Sequence, residues 1–300
     1  MEAVLTLIAG PESALEPSLV GAVRDSLAGL GIDSARPDWL APGTACDIEF
    51  LGSSDQAAAA ASLAIGSAPV DVIAQRTLDR RKRLLLSDME STIIRQETLV
   101  ELGKLAGVGE EIADITRRAM AGDLNFADAL RTRVAMLEGL SYTALDEVAA
   151  AVELMPGALS LVRTMRKHGA WCMLVSGGFR FFTIKVAKMA GFDADFGSQL
   201  ETLDGKLTGK IIEPILDPDA KANVLVRTVV QRRLPLRSVL AVGDGANDLP
   251  MLEIAGLGVA YHADPAVARL ARTRLNHADL TGLLYAQGYR QAEIISGESP

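Results

Sequence analysis

Short apolar runs that end in polar clusters recur at three places along this chain, and helical stretches separate them. The runs are residues 84–87 (LLLS), 170–175 (AWCMLV) and 238–242 (SVLAV). Strands that alternate with helices predict a doubly wound parallel sheet of the α/β class, in which ligands bind at the carboxyl ends of the strands. We therefore expect the polar clusters to lie together: Asp88-x-Glu90, Ser176-Gly177-Gly178 and Gly243-Asp244-Gly245.

The first 75 residues have a different organisation and indicate a small α+β module. Its predicted elements are strands at 2–9, 46–51 and 70–75 and helices at 17–30 and 54–65. A basic run at residues 80–83 separates this module from the rest of the chain. We predict two domains, residues 1–80 and 81–300.

Composition excludes several classes of protein. The net charge of −8 argues against nonspecific nucleic-acid binding, which needs a basic surface. No apolar stretch approaches the roughly 20 residues that span a bilayer, and no secretory leader is recognisable. The two cysteines, Cys46 and Cys172, are expected to be free thiols in a reducing compartment, which predicts a cytoplasmic protein.

The acids Asp88 and Glu90 are two residues apart, so they point to the same side of the strand end. A carboxylate beside Mg²⁺ can attack phosphorus and form an aspartyl-phosphate, and Asp88 is the natural nucleophile. Glu90 could protonate the leaving oxygen and later deprotonate a water molecule. Taken alone, residues 88–92 are explained equally well as a helix N-cap.

A magnesium site is expected at the same place, since Mg²⁺ takes about six oxygen ligands. Asp88 and Asp244 are good ligands, and the backbone carbonyl of Glu90 could be a third. Asp248 either ligates the metal directly or orients a metal-bound water molecule.

Three further residues suit a phosphate group. Ser176 offers a hydroxyl, the backbone amide of Gly177 can approach closely without a Cβ, and Lys221 supplies positive charge. Each signal is weak alone, because Ser-Gly-Gly is usually a turn and a helix lysine is usually solvated. All of these signals occur in order at the ends of alternating strands, so together they are better explained by one site than by coincidence.

The segments DMEST, VSGGF, the Lys221 helix and VGDGAND resemble the four motifs of the haloacid dehalogenase superfamily, over about residues 84–284. This resemblance implies a Rossmann-like core with a helical cap inserted at about residues 93–155. Such a cap would close over the site and exclude water during phosphoryl transfer.

Within the superfamily, the chain resembles the phosphoserine phosphatase family. By this resemblance, Glu97 reads the substrate amino group, Met120 and Phe126 form an apolar wall, and Arg133 pairs with the substrate carboxylate, for which a bidentate guanidinium is well suited. Asn247 also contacts substrate, and Ser176, Gly177 and Lys221 hold its phosphate. The implied reaction is the Mg²⁺-dependent hydrolysis of O-phosphoserine, the last step of serine synthesis.

The sequence leaves alternatives open. The enzyme could act on another small phosphomonoester, or it could transfer the phosphoryl group to an acceptor other than water. A third alternative is a non-catalytic amino-acid sensor built on the same fold. The family usually has Asp where this chain has Glu90, which makes that position a departure. The amino-terminal module resembles an ACT-like domain more weakly, and would bind an amino acid, mediate a homodimer or simply pack against the rest.

Overall fold

The computed structural model describes residues 2–213, 215 and 218–297, so the ends of the two predicted domains at residues 1 and 298–300 lie outside it. The strands are β1 (Ala3–Ala9), β2 (Asp38–Ala41), β3 (Ala45–Phe50), β4 (Val70–Arg76), β5 (Leu84–Ser87), β6 (Trp171–Phe179), β7 (Ala194–Leu203), β8 (Lys206–Ile212), β9 (Val239–Gly243), β10 (Leu257–Tyr261) and β11 (Thr273–Leu275). The helices are α1 (Pro17–Gly29), α2 (Ser54–Ile65), α3 (Thr98–Ala106), α4 (Gly109–Met120), α5 (Phe126–Ala135), α6 (Thr143–Ala150), α7 (Ala158–Lys167), α8 (Arg180–Ala190), α9 (Pro218–Arg232), α10 (Leu249–Ile254), α11 (Pro265–Leu270) and α12 (Gly282–Ala286).

The chain divides into two compact units that are interleaved in sequence. The first unit comprises Met1–Lys82, Pro156–His168 and Thr273–Pro300, and the second comprises Arg83–Met155 and Gly169–Arg272. The predicted domains were consecutive instead, and their boundary near residue 80 stays a prediction.

An antiparallel sheet with the strand order β2-β3-β1-β4 forms the centre of the first unit. Strand β1 lies between β3 and β4, with Leu5 opposite Ile48 on one side and Ala74 on the other. Sequence analysis missed β2, because this four-residue strand directly follows Pro37 and has no clear alternation. The other predicted elements of this module agree with the structure to within one or two residues at their ends.

Both faces of this sheet are covered within the first unit. On one face, α1 and α2 contact each other and pack an apolar core that includes Leu5, Leu7 and Ile48. On the other face lies a buried polar group, in which Arg80 Nη1 and Nη2 donate to the Asp47 carboxylate at 2.6 and 2.7 Å. Arg80 Nε donates to the Ala286 carbonyl in α12 at 2.9 Å, which ties α12 to the sheet.

Strand β5 lies at the centre of the main sheet of the second unit. The order β10-β9-β5-β6-β7-β8 places β5 between β9 and β6, and it pairs with both in parallel. Every residue of β5 is buried, as expected for an apolar strand covered on both faces. The carboxyl ends of β5, β6 and β9 therefore adjoin one another, which is the predicted position of the polar clusters.

A hairpin at one edge departs from the parallel pattern. Strands β7 and β8 pair antiparallel, with Leu203 opposite Lys206. The turn residues Asp204 and Gly205 have φ values of +50° and +74°, the backbone region that Asp-Gly turns supply. Asp204 and Gly205 therefore close a tight hairpin between β7 and β8.

Four helices, α3 to α6, follow β5 before the chain leaves the second unit. They occupy the predicted insert at residues 93–155, and α3 ends at Gly107, whose φ of +77° is a common helix stop.

Among the described residues, no helix has both the length and the apolar content to cross a membrane.

Candidate active site

A buried ion-paired group lies where β5 and β9 end. Asp88 directly follows β5, and its backbone amide donates to the Val242 carbonyl in β9 at 2.9 Å. The Lys221 ammonium donates to Asp88 Oδ1 and to Asp248 Oδ1, each at 2.6 Å. Lys221 is the fourth residue of α9 rather than its first, and its side chain is only 1% exposed. A lysine this deeply buried and doubly paired is not the solvated helix lysine that was the alternative.

Asp244 completes a cluster of three carboxylates. One oxygen from each of Asp88, Asp244 and Asp248 lies within 4.8 Å of the others. Thr92 Oγ1 donates to Asp244 Oδ1 at 2.8 Å, and the amides of Asp244 and Gly245 donate to Asp248 Oδ2 at 3.2 and 3.1 Å. The three acids are thus held close together by hydrogen bonds from their own loops.

Crowding and burial disturb the charges of these groups. Burial raises the pKa of Asp88 to about 7, with Asp248 and Glu90 adding to the effect and Lys221 opposing it. Burial and the nearby Asp88 raise the pKa of Asp244 well above its usual range. Burial acts to lower the pKa of Lys221, but the carboxylates of Asp248 and Asp88 outweigh it, so the ammonium pKa is raised.

This donor set fits a magnesium ion. When all three acids are ionised they share one ammonium, so the buried group then has an excess of negative charge that a divalent cation would neutralise. Asp248 already accepts hydrogen bonds on both oxygens, which suits a role in orienting a metal-bound water molecule. The expected contribution of the Glu90 backbone carbonyl stays a prediction.

A pocket opens beside Asp88 and brings together nine of the residues singled out from sequence. They are Asp88, Glu90, Glu97, Met120, Phe126, Arg133, Ser176, Gly177 and Asn247. The other three, Lys221, Asp244 and Asp248, lie in the ion-paired group behind Asp88. The structure thus places every predicted site residue in one region of the second unit, and their individual roles stay predictions.

A carboxyl group and a guanidinium lie on the side of this pocket that the helical insert forms. Arg133 is 6% exposed, and its Nη1 and Nε donate to Thr116 Oγ1 at 2.8 Å and to the Ala129 carbonyl at 3.1 Å. Glu97 precedes α3 and accepts a hydrogen bond from Ser91 Oγ at 2.7 Å. Burial, followed by the repulsion of Glu90, raises the pKa of Glu97 to about 8. An acid and a guanidinium in one pocket suit a ligand that carries an ammonium and a carboxylate.

The wall of the pocket that is predicted to bind phosphate, the phosphate-side wall, comes from the end of β6, where the structure corrects the predicted strand end. The strand continues to Phe179, so Ser176 and Gly177 belong to the strand itself rather than to a following turn. The Phe126 ring from α5 lies so close to Gly177 that a Cβ there would clash with the Phe126 Cζ atom. Only glycine permits this contact between helix α5 and the strand end.

Asn247 lies in the short 3₁₀ turn Ala246–Asp248 that follows β9. Its Oδ1 is buried and has no hydrogen-bond partner among the described residues. Because a buried acceptor without a partner is costly, this oxygen is suited to a donor supplied by a bound ligand.

Sequence analysis missed three threonines that contact the site residues. Thr92 donates to Asp244, Thr116 to Arg133, and Thr98 to Glu90. Single threonines carry no motif, although Thr92 is the end of DMEST and Thr98 directly follows Glu97. The partners of Thr98 and Thr116 become visible only once the helices are packed.

Comparisons with known proteins agree with this geometry. A family model described as haloacid dehalogenase-like hydrolase matches residues 85–253. The phosphoserine phosphatase SerB2 of Mycobacterium tuberculosis is 41% identical over 220 residues, which cover 73% of this chain and 54% of that protein. The chain therefore spans little more than half of that relative's length.

Two further relatives are matched over most of their length. A phosphoserine phosphatase of Lactococcus lactis is 40% identical over 203 residues, covering 68% of this chain and 94% of that protein. The crystal structure of a probable phosphoserine phosphatase from Vibrio cholerae, in unliganded form, superposes with a TM-score of 0.76 at 30% identity. It covers 97% of this chain and 88% of the other.

Proposed function

The chain belongs to the haloacid dehalogenase-like hydrolase family, and from this premise we propose that it is a Mg²⁺-dependent phosphatase that hydrolyses O-phosphoserine to serine and phosphate. The observation that carries the proposal is the pairing of two chemistries in one pocket. Asp88, bound to a buried lysine, faces the same space as Glu97 and Arg133. In metabolism this reaction is the last step of serine synthesis.

In the proposed reaction, Asp88 attacks the phosphorus atom and forms an aspartyl-phosphate while the serine oxygen leaves. Lys221, which already contacts Asp88, stabilises negative charge on the phosphoryl group, and Ser176 and the Gly177 amide bind its oxygens. Bound Mg²⁺, held by Asp88 and Asp244, would neutralise further phosphate charge. Glu90 gives a proton to the leaving oxygen and then takes one from the attacking water.

The opposite end of the pocket supports the choice of substrate. Arg133 is the proposed partner of the substrate carboxylate, and Glu97 of its ammonium group. An incoming ammonium favours the charged form of Glu97, which burial and Glu90 disfavour in the free protein. Substrate binding and ionisation of Glu97 are therefore coupled.

The remaining parts of the chain take supporting roles in this proposal. Helices α3 to α6 act as a cap that excludes water, consistent with the contact between Phe126 and Gly177. The amino-terminal module is ACT-like, which its β-α-β-β-α-β order and antiparallel sheet support, and homodimerisation through it is a further proposal. A cytoplasmic location is supported by Cys46 and Cys172, which are buried and are not joined in a disulfide.

Phosphate release from a small panel of substrates tests the proposal. O-phosphoserine should be hydrolysed, EDTA should abolish the activity, and added Mg²⁺ should restore it. Arg133→Ala should lower kcat/KM for O-phosphoserine by about 100-fold, as expected for loss of a buried charged hydrogen-bond pair, and should change hydrolysis of O-phosphoethanolamine, which has no carboxylate, far less. Good turnover of sugar phosphates without any of O-phosphoserine would refute the substrate assignment.

A further inference from the structure

The Glu90 side chain is held at one of its two carboxylate oxygens. Its Oε1 accepts a hydrogen bond from the backbone amide of Thr98 at 2.8 Å and another from the Thr98 hydroxyl at 2.5 Å. Thr98 is completely buried and is the first residue of α3. The amide that it donates is one of the helix-start amides that have no partner inside the helix.

The other oxygen of Glu90 faces the phosphate-side wall of the pocket. A Cβ placed on Gly178 would lie 2.9 Å from Glu90 Oε2 and 3.0 Å from Ser176 Oγ. Oε2 thus lies beside the strand end that carries Ser176, and Glu90 lines the pocket. One oxygen is anchored to a helix, and the other remains available on the substrate side.

The extra methylene of Glu90 makes this arrangement possible. An aspartate at the same backbone position would be shorter by about one C–C bond, roughly 1.5 Å. Its carboxylate could not keep the 2.5 and 2.8 Å contacts to Thr98 without movement of the backbone. Glutamate has one more rotatable bond than aspartate, and the two hydrogen bonds to Thr98 restrict rotation about it.

We propose that Thr98 is a positioning residue that orients Glu90 and thereby adapts this site to a glutamate. Thr98 contacts neither the phosphate nor its leaving group in this proposal, and it acts through the Glu90 carboxylate alone. The inference rests on the proposed function for its kinetic consequence, but the orientation of Glu90 can be observed without any turnover.

Two substitutions separate the hydroxyl from the amide. Thr98→Val removes the hydroxyl and keeps the shape, whereas Thr98→Pro also removes the amide hydrogen. Proline is tolerated at the first position of a helix, and Glu97 before it has an extended backbone (φ −89°, ψ 97°) rather than the helical one that a following proline disfavours. The matched control is Thr143→Val, at the exposed first position of α6.

Turnover of O-phosphoserine should follow the number of hydrogen bonds that are lost. Thr98→Val should lower kcat about tenfold with little change in KM, since one of the two hydrogen bonds that hold the charged Glu90 carboxylate is lost. Thr98→Pro should cost more, Thr98→Ser should restore most of the activity, and the Thr143 control should have no effect. In a Glu90→Asp background, Thr98→Val should cost less than twofold, because the shorter acid does not reach Thr98.

A loss from Thr98→Val that is equally large in both backgrounds, or that serine does not restore, would overturn the proposal. Crystal structures of the wild type and Thr98→Val supply the readout that is independent of activity. Glu90 should occupy one conformer at Thr98 in the wild type and leave it in the valine variant, and an unchanged Glu90 would also overturn the proposal. A wild type that releases no phosphate refutes the proposed function instead, and the crystal structures still decide the role of Thr98.

Discussion

The buried carboxylate of Asp88 should make the metal-free protein less stable near neutral pH, and Asp88→Asn tests this directly. Burial, with Asp248 and Glu90, raises the pKa of Asp88 from 3.8 to about 7. A carboxyl group with a raised pKa binds its proton more tightly in the folded state than in the unfolded state. The stability that results is complete below pH 3.8 and is lost as the pH rises to about 7.

The structure sets the size of the effect. The difference between 3.8 and about 7 corresponds to about 4 kcal/mol at pH 8, at 1.36 kcal/mol per unit. Removing the Asp88 charge also takes one of two carboxylate partners from the buried Lys221 ammonium, which offsets part of this gain. We therefore expect Asp88→Asn to raise the free energy of unfolding by about 2 kcal/mol at pH 8, and by well under half of that at pH 4.5.

Urea unfolding followed by circular dichroism, with EDTA present and at both pH values, measures this change. Asp123→Asn is the matched control, since Asp123 is exposed in the turn between α4 and α5. Its stability should match that of the wild type at both pH values. The reasoning is refuted if Asp88→Asn is no more stable than the wild type at pH 8, or if its gain is the same at pH 4.5.

Three further outcomes are expected. Lys221→Met should destabilise the metal-free protein by about 3–5 kcal/mol in urea unfolding, because two buried carboxylates lose their partner. The control Lys188→Met, at an exposed position, should change stability by less than about 0.5 kcal/mol, and similar losses in both variants would contradict this prediction. Mg²⁺ at 100 times its dissociation constant should add about 2.7 kcal/mol to stability, and Asp244→Asn should remove most of that gain; a wild type that does not respond to Mg²⁺ would contradict the metal assignment. Thr116→Val should raise KM for O-phosphoserine about tenfold, because Arg133 loses the hydrogen bond that it donates to the Thr116 hydroxyl. KM for O-phosphoethanolamine should stay within twofold, and equal changes for both substrates would argue against a role of Thr116 in specificity.

Local patterns predicted the main elements well, because those elements have local causes. The apolar run that forms β5 and the Asp204-Gly205 turn are determined by a few adjacent residues. Placement of Asp88 and Asp244 side by side needed only the rule that parallel strands end at the same edge of a sheet.

Other features depend on partners distant in sequence, which no local pattern reveals. Strand β6 continues beyond Val175, and after an irregularity in the register it pairs with β7 again at Phe179, opposite Ser198. Thr98 and Thr116 have the composition of ordinary helix residues, and their contacts with Glu90 and Arg133 follow from how the helices pack. Glu90 was recognised as a departure from the family, but its hydrogen bonds could not be read from a one-methylene difference.

The interleaving of the first unit also sets an order of events during synthesis. Asp71 accepts hydrogen bonds from the backbone amides of Asn276, His277 and Ala278, up to 207 residues further along the chain. A ribosome that adds about 5–20 residues per second needs on the order of ten to forty seconds to make that stretch. Until then the polar face of the amino-terminal sheet, with Asp71 and the Arg80–Asp47 pair, has no α12 to cover it. Strands β1 to β4 are therefore made well before α12, and the face of their sheet that α12 covers is completed only late in synthesis.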